Sequence, residues 1–289
     1  MLNSMRLELA GRRPFIRPRG LAYWGTPDGH FHIDARRLSF ASPLDLAGVV
    51  SMAHVSASKG MDVSFEMPDR VDVASYVQRM DVLERLPETT KIIGSVPLDV
   101  RFAKKRILLE VSAVTEVNAD EVGGAVAQIA AAFLGQELGR KVFGGVGELI
   151  ENAVSHGDSE LGTFVAAQGY TGATSEGRRL EVAVCDAGVG ILEHLRRNPD
   201  HDDVSSTLGA LKRCLKRGAT GTTDPEGGRG NGLADLARVP KQPGIARFVL
   251  RTGDGLASVS FGRSIERPFY APASTAIQGT WAWLRVAYQ

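Results

Sequence analysis

The segment GELIENAVSHG, from Gly147 to Gly157, places a glutamate and an asparagine four residues apart on a predicted helix. The apolar stripe of this helix follows the helical repeat and comprises Val142, Val146, Leu149, Ile150 and Ala153. Glu148 and Asn152 lie one turn apart on an adjacent face, so their side chains converge. An amide oxygen there can join the oxygen shell of Mg²⁺, and a carboxylate can take the proton of a nucleophile. The same pair also suits an ordinary solvent-facing helix surface, so the pattern alone leaves both interpretations open.

A second motif follows in VAVCDAGVGI, where an apolar strand runs directly into Asp186, Gly188 and Gly190. Glycines at alternate positions let the backbone approach a flat ligand. A buried carboxylate accepts a hydrogen bond from an exocyclic amine such as that of adenine, and it repels a carbonyl oxygen at the same place. The motif therefore favours adenine over guanine, although aspartates at strand ends also form caps and turns.

A third motif is the glycine run in EGGRGNGLADL, with Gly228, Gly230 and Gly232 spaced by two before a predicted helix. Backbone N–H groups at such a helix start can bind phosphate, and Arg229 can add a charge-assisted contact. A flexible loop is the alternative interpretation. No lysine ends the run and no strand precedes it, which excludes the GxxxxGK[ST] loop and the dinucleotide fingerprint.

The last predicted strand begins QGTWAWL, where Thr280 can support the aspartate directly or through water. Taken in order, ExxxN, DxGxG, GxGxG before a helix and GT in a late strand resemble the GHKL ATP-binding fold. That superfamily includes histidine kinases, anti-sigma-factor serine kinases, DNA gyrase B subunits, a class of heat-shock chaperones and mismatch-repair ATPases. The resemblance covers residues 105 to 289 and implies an α+β sandwich, in which one mixed sheet carries helices on one face.

The resemblance implies a role for each motif residue. Asn152 would ligate Mg²⁺, Glu148 would occupy the position of the catalytic base, and a lid over residues 218–230 would close on the phosphates of ATP. The implied nucleotide-binding residues are Asn152, Asp186, Gly188, Gly190, Gly228, Arg229, Gly230, Gly232 and Thr280. His156-Gly157 after the helix resembles the anti-sigma serine kinases, whereas many histidine kinases carry lysine at the position of Ser155.

The segment HIDARRLSFASPLDLAGVV…GMDVSFEMP predicts a strand, a helix and a strand. Ser42 suits the helix N-cap, Pro43 the first turn and Gly60 the end. DVASYVQRMDVLERL predicts one further helix, and PETTKIIGSVPLDVRFAKK predicts a connector. This small, partly parallel α/β unit resembles STAS domains, in which a serine is phosphorylated at the turn that here reads FASPLD. Because Ser42-Pro43 departs from that pattern, a helix cap is favoured over a phosphorylation site.

Length, net charge and cysteine content limit the functions that the chain can have. The length of 289 residues suits two domains, predicted as a STAS-like α/β domain over 1–100 and an ATP-binding domain over 101–289. A formal net charge of +1 attracts neither nucleic acid nor an anionic membrane. Two cysteines without metal-type spacing favour a reducing compartment, and the chain shows no apolar signal core or membrane-spanning run. A cytoplasmic protein is therefore expected.

These observations predict an ATP-binding regulatory protein that acts on a protein partner, as a Mg²⁺-dependent serine/threonine protein kinase-like switch. One alternative is a non-catalytic module in which ATP only sets conformation. The other is a histidine-kinase-type catalytic domain that acts in trans. The sequence leaves open whether the chain forms a homodimer.

Overall fold

The structure is a computed structural model, and it describes residues 4–16, 21–24, 29–98, 107–155, 161–171, 177–216, 246–261 and 268–287. Its strands are β1 (Ser4–Leu9), β2 (Gly11–Arg12), β3 (Leu21–Trp24), β4 (His30–Asp34), β5 (Leu38–Phe40), β6 (Asp62–Glu66), β7 (Lys91–Ile93), β8 (Leu108–Val114), β9 (Thr163–Thr171), β10 (Arg178–Asp186), β11 (Ala246–Phe261) and β12 (Phe269–Ala287). Its α-helices are α1 (Pro43–Ser58), α2 (Val71–Arg79), α3 (Val82–Arg85), α4 (Ala119–Leu134), α5 (Gln136–Ser155), α6 (Gly190–Arg196) and α7 (Thr207–Cys214).

The N-terminal part of the chain forms a five-stranded sheet in the order β3-β1-β4-β6-β7. Strands β1, β4, β6 and β7 are parallel to one another, and the edge strand β3 is antiparallel to β1. A parallel pair requires a crossover, which α1 supplies between β4 and β6. The predicted strand-helix-strand unit is therefore present, and it gains two strands, β1 and β3, from a segment for which no strand was predicted.

Helix α1 begins where its capping residues predict. The backbone N–H of Asp45 donates to Ser42 Oγ at 3.3 Å, and the N–H of Ser42 donates to the Asp45 carboxylate at 2.7 Å, which together form a capping box. Gly60 follows the helix with φ of +76°, in the left-handed region that glycine adopts readily. Ser42 is fully buried and its hydroxyl donates to Asp45 at 2.6 Å. Ser42 therefore serves as a helix cap.

Two predictions in the following segment are wrong. The single helix predicted from DVASYVQRMDVLERL is two helices, α2 and α3, because Asp81 between them has φ of +58°. Aspartate tolerates this left-handed conformation better than most residues, but a helix cannot continue through it. The predicted connector contains β7, which extends the N-terminal sheet in parallel to β6.

The C-terminal part forms a second five-stranded sheet in the order β11-β12-β10-β9-β8. Every pairing among these described strands is antiparallel, so the expected mixed sheet is not found there. Short connections join β9 to β10 and β11 to β12, and a short connection requires antiparallel neighbours. Helices α4, α5, α6 and α7 share one hydrophobic core with one face of the sheet, in agreement with the coarser α+β prediction.

Strand β11 bends back on itself. The Arg247 Nε donates to Ser258 Oγ at 3.1 Å across a sequence separation of 11 residues. A straight strand would separate residues at that interval by about 36 Å. The pairing of β11 with β12 is irregular between Thr252 and Gly255, which places the bend at these residues.

The opposite face of the C-terminal sheet packs on α1. Trp281 and Trp283 of β12 are each 1% exposed and belong to the same core as the apolar residues of the N-terminal sheet. A Cβ atom on Gly48 of α1 would lie 2.7 Å from the Trp281 ring, so glycine permits this close approach. Helix α1 therefore lies between the two sheets and is buried on both sides.

A buried ion cluster also joins the two parts of the chain. Glu181 of β10 is fully buried, and its Oε1 accepts hydrogen bonds from Arg13 at 2.6 Å and from Arg179 at 2.8 Å. The Arg251 guanidinium donates to the Phe15 carbonyl at 3.1 Å. The predicted boundary at residue 100 thus separates two units that share a core and a set of buried polar contacts.

Candidate functional site

Four polar side chains form one row across the C-terminal sheet. Thr163 pairs with Asp186 between β9 and β10, the Thr280 N–H of β12 donates to the Asp186 carboxylate, and Thr280 pairs with Thr252 of β11. Side chains two residues apart in a strand share a face. The row therefore faces α4–α7, as do the buried residues two positions away along the four strands: Val165, Val184, Ala282 and Leu250. We call Thr163, Asp186, Thr280 and Thr252 the polar row.

The two oxygens of the Asp186 carboxylate differ in their hydrogen bonds. Its Oδ1 accepts the backbone N–H of Gly188 at 2.9 Å and that of Thr280 at 3.1 Å, whereas Oδ2 accepts no hydrogen bond from any described residue. Asp186 is 4% exposed, and burial raises its pKa to about 7 against the opposing effect of these two hydrogen bonds. Thr280 thus contacts the carboxylate through its backbone N–H, and support from its hydroxyl through water stays a prediction.

Two glycines allow this arrangement. Gly279 has φ of +83°, and a Cβ there would lie 2.2 Å from the carbonyl oxygen of Asp186. Gly190 has φ of +80°, and a Cβ there would lie 2.8 Å from Thr252 Oγ1. Both positions therefore require glycine for the packing of the chain on itself. The sequence interpretation explained the glycines of DxGxG only by the approach of a ligand.

Sequence reasoning missed the two outer threonines of the polar row. The Thr252 hydroxyl donates to the Gly279 carbonyl at 2.9 Å and accepts the Ile191 N–H at 3.1 Å. The Thr163 hydroxyl donates to the Ala153 carbonyl at 3.3 Å. Each threonine lies in or beside an apolar strand and belongs to no motif, so only the strand register reveals that both flank Asp186 and Thr280.

Helix α5 carries the first predicted motif to the edge of this row. Ala153, the acceptor for Thr163, directly follows Asn152, which is half-buried. Glu148 lies one turn earlier on the same helix and is exposed. The structure thus brings the turn that carries Asn152 to the polar row, and it presents Glu148 to solvent.

The remaining predicted residues lie outside the described residues. These are the glycine run with its arginine, the lid and the residues that follow α5: Gly228, Arg229, Gly230, Gly232, residues 218–230 and His156-Gly157. Their assignment to phosphate binding stays a prediction from the sequence.

A second polar cluster lies on the face of the N-terminal sheet opposite α1. His32, Asp34 and Glu66 place potential metal-ligating atoms within 4.8 Å of one another. Arg36 donates to Asp34 at 2.8 Å and Arg6 also pairs with it, and the hydrogen bond from Arg36 contributes most to holding the pKa of Asp34 well below its usual range. Because two guanidinium groups already neutralise the buried carboxylate, the arrangement is that of an ion-pair network rather than a cation site.

Comparison with known proteins adds no family to this picture. No protein-family model matches the chain, and a search of curated proteins found no match. Among the described residues, the helices are too short or too polar to cross a membrane. The residues and geometry of the site are therefore the basis for assigning a function.

Proposed function

We propose that the chain is an ATP-binding regulatory protein of the GHKL class, a Mg²⁺-dependent serine/threonine protein kinase-like switch that acts on a protein partner. The observation that carries the proposal is that, among the described residues, only one of the two oxygens of the Asp186 carboxylate accepts hydrogen bonds. No described residue donates to Oδ2 of Asp186, and Oδ2 is not one of the fully buried side-chain atoms that lack a partner, so this oxygen remains accessible to a hydrogen-bond donor from outside. A ligand that donates a hydrogen bond there satisfies this atom.

An adenine base fits that requirement. Its exocyclic amine donates to Oδ2, while the carbonyl oxygen that guanine or hypoxanthine carries at the equivalent position would face a carboxylate. Leaving such a buried polar group unpaired is the strongest available basis for rejecting the wrong base. Oδ1 cannot turn towards the ligand, because Gly188 and Thr280 hold it from two different chain segments.

We also propose that a magnesium ion accompanies ATP and that Asn152, half-buried on α5, would hold it. Asn152 supplies one neutral oxygen ligand, and Mg²⁺ in nucleotide sites commonly takes few protein ligands and completes its shell with water and phosphate. When bound, the ion would neutralise charge on the phosphates. Glu148, exposed on α5, would accept the proton of a protein hydroxyl that enters from solvent.

The first test compares ATP with inosine triphosphate, which carries a carbonyl in place of the amine. Above about pH 8, where Asp186 is ionised, we expect isothermal titration calorimetry to show that the wild-type chain prefers ATP, and that Asp186→Asn weakens ATP binding by about 10- to 100-fold, the usual value of a hydrogen bond to a charged group. Asp186→Asn should also reduce the ratio of ATP to inosine triphosphate affinity, because the asparagine amide can donate a hydrogen bond to the carbonyl oxygen of hypoxanthine. Asp72→Asn, an exposed carboxylate on α2, is the control. Equal binding of both nucleotides by the wild type contradicts the proposal.

Phosphotransfer from labelled ATP to protein substrates separates the three functional alternatives. Acid-stable label that is lost in Glu148→Ala, while ATP still binds, supports the serine/threonine kinase. Acid-labile label points to a histidine-kinase-type reaction in trans. Tight ATP binding without transfer points to the non-catalytic module.

A further inference from the structure

Thr252 occupies a bridging position that no sequence motif indicates. It is 2% exposed, and its hydroxyl uses both its donor and its acceptor capacity. It accepts the N–H of Ile191, at the start of α6, and donates to the carbonyl of Gly279, at the approach to Thr280. One side chain from β11 thus connects the turn that follows Asp186 with Gly279, the first residue of the GT pair.

These two segments are the ones that hold Asp186. The donors to its Oδ1 are Gly188, in the turn, and Thr280, beyond Gly279. The distance between the two donors therefore depends on how firmly the turn and the β12 segment are joined. Gln278 makes the second connection, since its side-chain amide donates to the Ala187 carbonyl at 2.9 Å.

The packing leaves no room for another group at this junction. A Cβ on Gly190 would lie 2.8 Å from Thr252 Oγ1 and 3.2 Å from the Gly279 carbonyl oxygen. The Ile191 N–H and the Gly279 carbonyl thus meet Thr252 in a closed, buried space. Removal of its hydroxyl leaves both backbone groups without that partner.

We infer that Thr252 is a positioning residue of the adenine site, whose hydroxyl locks the turn after Asp186 to Gly279 and thereby fixes the direction in which Oδ2 of Asp186 points. The inference rests on the proposed nucleotide function and adds to it a residue outside the four motifs. Thr252 does not touch the base; it acts through the two segments that hold the carboxylate.

The test uses two variants of Thr252. Thr252→Val keeps the shape of the side chain and removes the hydroxyl, whereas Thr252→Ser keeps the hydroxyl and removes the methyl group. We expect Thr252→Val to weaken ATP binding by about tenfold and to reduce the ratio of ATP to inosine triphosphate affinity, and Thr252→Ser to recover most of both. A merely structural role would lower the affinities for both nucleotides in proportion and leave their ratio unchanged. Ser258→Ala, which removes the acceptor of Arg247 from the other part of β11, is the control for a lost buried hydrogen bond.

A second readout needs no nucleotide. Hydrogen exchange of the Ile191 amide in the free protein should accelerate in Thr252→Val and stay slow in Thr252→Ser and Ser258→Ala. Unchanged exchange, or an unchanged nucleotide ratio with a wild type that binds ATP, overturns the role of Thr252 and leaves the proposed function standing. A wild type that binds neither nucleotide overturns both.

Discussion

Asp45 and Asp186 are two buried carboxylates in different parts of the molecule. Asp45 lies in the first turn of α1, and Asp186 ends β10. They are 1% and 4% exposed, and burial raises the pKa of Asp45 to about 6 and that of Asp186 to about 7. By burial and by the direction of the pKa shift, the two sites are nearly equivalent.

Their hydrogen bonds distinguish them. Asp45 uses both oxygens, since Oδ1 accepts the Phe15 N–H at 2.9 Å and Oδ2 accepts the N–H and the hydroxyl of Ser42. Asp186 uses only Oδ1 among the described residues. The two hydrogen-bonded oxygens of Asp45 fit a structural role, whereas Oδ2 of Asp186 can still accept a hydrogen bond from a ligand. These two carboxylates therefore differ in the number of hydrogen-bond partners on each oxygen and not in their burial.

Helix α1 connects the two sites. It begins beside Asp45, and its third turn places the Ser51 hydroxyl 3.5 Å from the Asp186 carbonyl oxygen. Between them, Gly48 lies against Trp281, the neighbour of Thr280. The N-terminal unit thus packs directly on the strands that carry Asp186 and Thr280, the residues of the proposed adenine site.

The largest expected effect comes from Asp45→Ala. It leaves three buried donors, two on Ser42 and one on Phe15, without their acceptor, which should lower the free energy of unfolding by about 3 kcal/mol or more. Urea denaturation measures the change. Asp72→Ala removes an exposed carboxylate paired with Arg70, and it should cost less than about 1 kcal/mol. Similar losses in both variants would remove the structural role assigned to Asp45.

A smaller effect is expected from Gly48→Ala. The added methyl overlaps the Trp281 ring and should destabilise the protein by about 1–3 kcal/mol, as overpacking does in other cores. Gly124→Ala in α4 is the matched control, because its Cβ would meet no atom within 4 Å and alanine favours a helix by about 0.5–1 kcal/mol. Both variants are compared by urea denaturation. Stability changes of opposite sign in Gly48→Ala and Gly124→Ala support the tight packing of α1 on Trp281. Equal stabilities of the two variants would contradict it.

The smallest effect is a difference in pH dependence between the wild type and Asp186→Asn. A pKa raised from 3.8 to about 7 means that the folded state retains a proton that the unfolded state has released, so the contribution of Asp186 to stability falls as pH rises. Between pH 6 and 7 the wild type should lose about 1 kcal/mol more than the variant, which cannot titrate there. Asp45 titrates in the same way in both proteins, so its contribution cancels in the difference between them. Parallel pH profiles in urea denaturation would show that Asp186 is not a buried, desolvated acid.

Local chemistry made part of the fold predictable. Ser42, Pro43 and Gly60 mark the ends of α1 because capping and left-handed termination depend on nearby residues. The same reasoning found Asp186 and Thr280, since a carboxylate at the end of an apolar strand and a GT pair are visible in the sequence. It failed at Asp81, where a left-handed residue interrupts a continuous helical pattern.

The sequence by itself determined the capped helix, the apolar strands and the residue types of the candidate site. Only the tertiary structure decided that α1 is buried on both sides, that Thr163 and Thr252 complete the polar row, and that one oxygen of Asp186 is left without a partner among the described residues. The physical reason is that caps and strand patterns depend on neighbours along the chain. Hydrogen-bond satisfaction and strand register depend on residues such as Asp186 and Thr280, which are 94 positions apart and meet only in the folded sheet.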